Sequence, residues 1–450
     1  MAGLFARAAS GRGLKDGVSA ALPTVNWAGN YTYQAKHIHR PGSVEEVRRI
    51  VRAARRVKAL GTRHSFNGIA DTPGDLVVLD GLPRDRHLDE HRQCVRIGGG
   101  VRYADLGEYL HSRGWALANL ASLPHISVAG ACATATHGSG DKNGVLSTAV
   151  RAVEFVAAHG ELITLERERH PDQFPGAVVS LGALGIVTGL VLDVVPAFSV
   201  RQDVYDKVSL DEVAANFDAV FAAGYSVSLF TDWSGLCGRL WVKRRVEPEK
   251  ERSGGAGTPP APPPLPLRGA VRLERQVHPA PGHPPENCTQ QGGVPGPWWD
   301  RLPHFRMGFT PSSGEELQSE YFVPRQHAAA ALQAIRRLGH RIAPLLYISE
   351  VRTIAADPLW LSPCYERPSV GIHFTWKRDW DAVRQVLPLI EEALIPFGVR
   401  PHWGKLFTLP PEYVRAQYPK LKEFVALSQE FDPDGKFRNA FLDTYVYGSE

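Results

Sequence analysis

The chain is poor in the features that most readily declare a function. Its 450 residues hold five cysteines, Cys94, Cys132, Cys237, Cys288 and Cys364, all far apart. There is no CxxC pair and no metal-ligand spacing, which excludes a zinc module and a dithiol redox motif. An odd, scattered set suits a reducing compartment, so a cytoplasmic location is expected. No apolar run reaches the length of a membrane span, and the N-terminal stretch lacks the continuous apolar core of a secretory signal. Neither sign of charge dominates: 51 basic and 47 acidic residues give a formal charge of +4. With no long basic run, nucleic acid and anionic membrane are poor partners. GxGxxG, Walker and GxSxG signatures are missing, and so is any periodic repeat.

What is present is an ordinary globular composition, 43% apolar and 22% charged, in a chain long enough for two domains. "PGSVEEVRRIVRAARRV" reads as an amphipathic helix with Ser43 and Glu46 spaced as a capping box. "VKAL", "DLVVLDGL" and "CVRIGGG" read as strands, and "VRAVEFVAAHGELITLE" as a hairpin. The texture changes near residue 198. Residues 25–197 are expected to form one domain and 198–400 a second, with 401–450 returning to the first and 1–24 a flexible leader. Residues 248–303 are rich in Pro and Gly, and no packed element is expected there. The order of elements is α+β, not a regular βαβ alternation.

Three stretches could carry chemistry. "ASLPHISVAGACATATHGSG", residues 121–140, is dense in small residues. Such residues let backbone N–H groups approach a pyrophosphate, although close core packing accounts for them equally well. "ELQSEYF", "YISEVRT" and "GIHFTWK" place polar side chains two apart, hence on one face of a strand. Gln318 and Glu320 share a face, as do Glu350 and Arg352, and His373 and Thr375. A solvated sheet face is the default explanation. The mixture of Glu, Arg, His, Thr and Gln instead suits a dry wall for a ligand with several hydroxyls, and His402 and Lys405 lie in an aromatic-flanked segment nearby. Finally, "LGTRHSFNG" sets His64 in a tight turn after a strand. No metal is expected there, since His64 has no ligand-spaced neighbour.

Taken in order, "ALGTRHSFN", "SLPHISVAGACATATHGSG", "LGALGIVT", "QSEYFVP", "YISEVRT", "GIHFTWK" and "PHWGKLF" closely resemble the alditol oxidases, also called xylitol or sorbitol oxidases. These are a branch of the vanillyl-alcohol-oxidase-type flavoproteins related to the aldonolactone oxidases, and the resemblance runs from about residue 25 to the C-terminus. It implies an FAD-binding domain and an antiparallel-sheet substrate domain. It also implies that His64 is joined covalently to the flavin ring, within a cofactor turn of Gly61, Thr62, Arg63, His64, Ser65, Phe66 and Asn67. Many relatives have Gly before this histidine. Arg63 does not readily take a positive φ, so the turn is expected to differ slightly.

The resemblance further assigns Ser122, Ser127, Gly130, Thr134, Ile186, Val187 and His402 to the cofactor. Ser122, Gln318, Glu350, Arg352 and Thr375 would bind substrate, with Glu350 and Arg352 pairing. His373 is the expected base, as a histidine titrating near neutrality, and Lys405 the group that stabilises the alkoxide. Ala121 stands where a small residue lets oxygen reach the flavin. The implied reaction takes an alditol and O2 to an aldose and hydrogen peroxide. An aldonolactone oxidase or dehydrogenase of the same fold and a non-catalytic, sugar-responsive flavin-binding protein are the alternatives. The oligomeric state stays open, with a monomer favoured.

Overall fold

The computed structural model describes residues 24–235, 237–246, 262–309 and 314–448. Nearly all of the expected leader, and residues 248–261 of the Pro-rich stretch, lie outside the described residues.

Helix α1 (Val44–Ala53) begins as its sequence requires. Ser43 Oγ accepts from the Glu46 N–H at 3.2 Å, and the Glu46 carboxylate returns to the Gly42 N–H at 2.7 Å. Val47 and Val51 are fully buried. Strand β1 (His37–His39) and strand β2 (Val57–Leu60) flank β3 (Asp75–Val78) in a parallel sheet. β2 is the "VKAL" segment, and the chain leaves it directly into the His64 turn. A five-stranded antiparallel sheet follows, in the order β4 (Arg86–Asp89), β5 (Cys94–Gly98), β8 (Ile186–Asp193), β6 (Val150–Val156), β7 (Leu162–Glu166). The β6–β7 hairpin is the one read from the sequence, with Gly160 at φ +85° supplying the turn. The short small-residue helix α2 (Val128–Ala133) lies in the chain between β5 and β6, with Val128, Ala129, Ala131 and Cys132 buried.

The second half of the chain builds one large antiparallel sheet. Its core order is β9 (Ser199–Ser209), β11 (Cys237–Val246), β10 (Ser226–Thr231), β13 (Leu346–Ile354), β14 (Ser369–Lys377), β12 (Glu316–Pro324). Alternation along these strands separates two faces. Val351, Ile372 and Tyr321 are in register on one face, and the Tyr321 hydroxyl reaches Glu391 at 2.7 Å on helix α3 (Trp380–Leu394). Glu350, His373 and Glu320 are in register on the other. A solvated sheet would leave that second face wet, yet all three are buried.

The expectation of no packed element in 248–303 is wrong for its described part. Val271–Arg272 and Gly296–Pro297 both pair with β9, and Cys288, Thr289, Gln291 and Trp298 are buried. Side chains replace the missing ladder. Gln291 bonds both the N–H and the carbonyl of Val277, at 3.0 and 2.7 Å, and Arg272 reaches Asp203 at 2.8 Å. Proline lowers the number of backbone donors to be satisfied, so a few such bonds suffice.

Candidate active site

The polar wall is assembled by strand register. Phe230, Glu350, His373 and Glu320 line up across β10, β13, β14 and β12. One row along lie Ile348, Thr375 and Gln318; one row the other way lie Arg352 and Gly371. A Cβ at Gly371 would stand 3.3 Å from the His137 ring and 3.4 Å from the Glu320 carboxylate, so glycine leaves the space those two groups fill.

Glu320 is the electrostatic centre. Its Oε1 accepts from Arg352 Nη2 at 2.7 Å and from His137 Nε2 at 3.0 Å, and its Oε2 from Lys405 Nζ at 2.7 Å. Burial alone would raise its carboxyl, but Lys405, His137 and Arg352 hold it well below the ordinary range. Burial lowers the Lys405 ammonium, with Glu320 opposing. Glu350 is likewise held down against burial by Arg352 and His304. The expected Glu350–Arg352 pair forms as an ion pair, with Arg352 Nε 3.6 Å from Glu350 Oε2, a separation too long for a hydrogen bond. Arg352 goes to Glu320, and Glu350 Oε1 goes to His304 Nε2 at 2.9 Å. Arg352 Nε is buried without a hydrogen-bond partner among the described residues.

His373 does not titrate near neutrality as expected. Burial, then the Lys405 charge, lowers its pKa well below the ordinary value, so its ring is neutral. Its Nε2 meets Gln318 Oε1 at 3.2 Å. The Gln318 amide nitrogen is occupied by Glu316 at 2.6 Å, which turns its oxygen toward the ring and places the ring proton on Nε2.

The His64 turn faces this wall across one cavity of about 310 Å3. His64 stacks on Trp27, centroids 4.9 Å apart, and its Nε2 lies 2.7 Å from His125 Nε2. Burial, then His125, lowers the His64 pKa to about 3, and burial lowers that of His125 to about 4. Nδ1 of each is buried without a well-formed hydrogen bond among the described residues. Arg63 adopts φ +65° after all. The turn therefore keeps the left-handed geometry that glycine would give, with the Arg63 carbonyl accepting from the Trp27 N–H at 2.9 Å.

The cavity wall includes Gly61, Thr62, Arg63, His64, Ser65, Phe66, Ala121, Ser122, Ser127, Gly130, Thr134, Val187 and His402 on one side, and Gln318, Glu350, Arg352, His373, Thr375 and Lys405 on the other. Two expected cofactor residues lie elsewhere. The Ile186 side chain belongs to the apolar cluster of Val47, Val51 and Val77; alternation along β8 gives the cavity Val187 instead. Asn67 is behind the wall, its amide donating to the carbonyls of Trp403 and Lys405 at 2.9 and 2.8 Å, so it ties the first turn to the "HWGK" segment.

Sequence reasoning left without a role Glu320, His137 and His304, which line the cavity, and His125 and Lys243, which stand behind it on His64 and His304. Only Glu320 carried a signal, its position two residues from Gln318.

The residues fit a long dinucleotide-flavin cofactor. A Cβ at Gly61 or Gly130 would come within 2.5 or 2.8 Å of the Ser127 hydroxyl, so the two glycines keep a cradle open around it. The cavity then runs to Lys58, which donates to the Leu181 and Gly182 carbonyls at 3.0 and 3.1 Å. Comparison with known proteins agrees. A family described as FAD binding domain matches residues 35–166, and one described as D-arabinono-1,4-lactone oxidase matches residues 314–445. The alditol oxidase of a Streptomyces species is 51% identical over 427 residues, spanning 94% of this chain and 99% of that protein. This chain belongs to the alditol oxidase family. L-Gulonolactone oxidase of Bos taurus is 26% identical over 94% of this chain and 98% of that protein. L-Gulono-1,4-lactone dehydrogenase of Mycobacterium tuberculosis is 28% identical over 92% and 97%. Among solved structures, cholesterol oxidase from B. sterolicum has a TM-score of 0.74 at 14% identity, covering 95% of this chain and all of that one. That likeness concerns the fold alone; the vanillyl-alcohol-oxidase-type assignment rests on the FAD binding domain and lactone oxidase matches together with the alditol oxidase relative. Among the described residues no helix is long and apolar enough to cross a membrane.

Proposed function

We propose that this protein is an FAD-dependent oxidase that converts the terminal hydroxyl of an alditol such as xylitol or sorbitol to the aldehyde of an aldose, with O2 reduced to hydrogen peroxide. The observation that carries the reading is the buried row of Glu320, His373 and Glu350, flanked by Arg352 and Lys405. Most of these groups answer one another, but Arg352 Nε is left without a hydrogen-bond partner among the described residues, and a ligand with several hydroxyls, such as an open-chain polyol, suits a dry wall of this kind. FAD, held by the His64 turn and the Ser127–Gly130 cradle, would supply the hydride acceptor for the substrate carbon and the route of the electrons to oxygen.

The chain's own residues do the rest. His373, neutral and with its Nε2 proton directed at Gln318, takes the hydroxyl proton at Nδ1. The Lys405 ammonium stabilises the developing alkoxide. Glu350 Oε2 and Arg352 Nε bind the adjoining hydroxyls, and Thr375 and Ser122 border the same space. The cofactor is held covalently through His64. His125 engages its Nε2, which leaves Nδ1 as the nitrogen available for the bond. Ala121 keeps a path for oxygen. Under anaerobic conditions xylitol should bleach the yellow flavin, and readmitted oxygen should restore it with peroxide formed. Bleaching by an aldonolactone and not by xylitol or sorbitol would overturn the assignment.

A further inference from the structure

Lys243 and His304 stand behind Glu350 and come from parts of the chain with no polar-row pattern. Lys243, on β11, is 1% exposed. Its ammonium donates to the main-chain carbonyls of Leu302 and Pro303 and to His304 Nδ1, the last two at 3.2 and 3.4 Å. Three protons meet three acceptors. Because Nδ1 accepts, the ring proton of His304 sits on Nε2, which is the nitrogen 2.9 Å from Glu350 Oε1. A carboxylate can only accept, so the two assignments agree. The ring is also gripped edge-on by Phe230 and Trp241, with both centroids 5.2 Å away.

We propose that His304, oriented by Lys243, is a positioning residue for substrate binding. It ties down one oxygen of Glu350 and turns the other toward the alditol. The proposal rests on the alditol reading of Glu350 given above. It makes the end of the Pro- and Gly-rich stretch part of the substrate site. Without the His304 N–H, the Glu350 carboxylate is free to rotate toward Arg352 Nε, now 3.6 Å from Oε2, and to satisfy that donor in the substrate's place. The signature is therefore weaker binding, with the chemical step little altered.

The test is anaerobic rapid-mixing reduction of the holoenzyme's flavin over a range of xylitol concentrations, which separates Kd from the limiting rate. In H304L the Kd should rise about ten-fold or more, as expected for a lost hydrogen bond to a charged group, with a much smaller change in the limiting rate. In H304Q an amide N–H can stand near the Nε2 position, and most of the affinity should return. If H304L does not fold, H304N supplies the same contrast, because its shorter amide cannot reach Glu350. In an E350Q background, adding H304L should cost nothing further. Unchanged Kd in H304L or H304N, or a full additive loss in the E350Q background, overturns the proposal. If xylitol fails to reduce the wild-type flavin, the substrate assignment falls and this proposal falls with it.

Discussion

Glu320→Gln is the substitution with the most to say about this site. It keeps shape and removes one buried charge. In the native arrangement the carboxylate serves Lys405 at 2.7 Å, Arg352 at 2.7 Å and His137 at 3.0 Å, and its own side chain is 1% exposed. A glutamine must turn its NH2 toward either Lys405 or the Arg352–His137 pair, setting donor against donor. Breaking a buried ion pair from one side costs about 3–5 kcal/mol, so thermal unfolding should move down. Arg352 cannot shed its proton, but Lys405 can. Burial already lowers the Lys405 pKa, and the Glu320 charge opposes that shift. Without Glu320 the pKa falls further, and the charged form survives only at lower pH. The limiting rate of flavin reduction by xylitol should drop roughly 100-fold or more near neutrality, as for loss of one preorganised oxyanion donor. The wild-type rate should fall as pH rises through the Lys405 pKa, and in Glu320→Gln this fall should begin at lower pH. Flavin content, read from absorbance, should stay normal. A variant with wild-type reduction rate and an unshifted pH profile would refute the proposed role of Lys405.

Three further outcomes are expected. His64→Ala should release yellow colour into the supernatant on acid precipitation, whereas in the wild type the colour should stay with the polypeptide; colour retained by the variant would place the bond elsewhere. Lys58 has its pKa lowered by burial from 10.5 to about 7, so the unfolded state binds more protons over that interval and stability should rise with pH through it; Lys58→Met should flatten the rise of Tm between about pH 7 and 10, and an unchanged slope would count against a charge-suppressed Lys58. Arg63 sits at φ +65°, a conformation costing a side-chain-bearing residue about 1–2 kcal/mol; Arg63→Gly should therefore leave Tm unchanged or raised, and a fall of several degrees would show that the Arg63 side chain matters more than its backbone.

Strand periodicity made half of the site legible. Gln318 with Glu320, Glu350 with Arg352, and His373 with Thr375 had to share faces, because side chains in a strand alternate with period two. The same rule separates Val187, at the cavity, from Ile186, in the core. Local signals likewise located α1, the β6–β7 hairpin and the small-residue run beside the first turn. Composition misled at 262–303, where proline and glycine suggested an unpacked excursion. There the backbone is satisfied by Gln291 and Arg272, and such partners are remote in sequence.

The sequence by itself determined which residues face the same way and which family the motifs resemble, because both depend on neighbours a few positions apart. Only the tertiary structure decided who pairs with whom. Arg352 keeps an ion pair with Glu350 but gives its hydrogen bond to Glu320; Glu350 accepts from His304, and His64 meets His125, these hydrogen bonds all spanning 32 residues or more. It also decided the protonation states. Burial and the charges of Lys405 and Arg352, against the opposing charges of Glu320 and Glu350, make His373 neutral, and no local stretch of the chain contains that field.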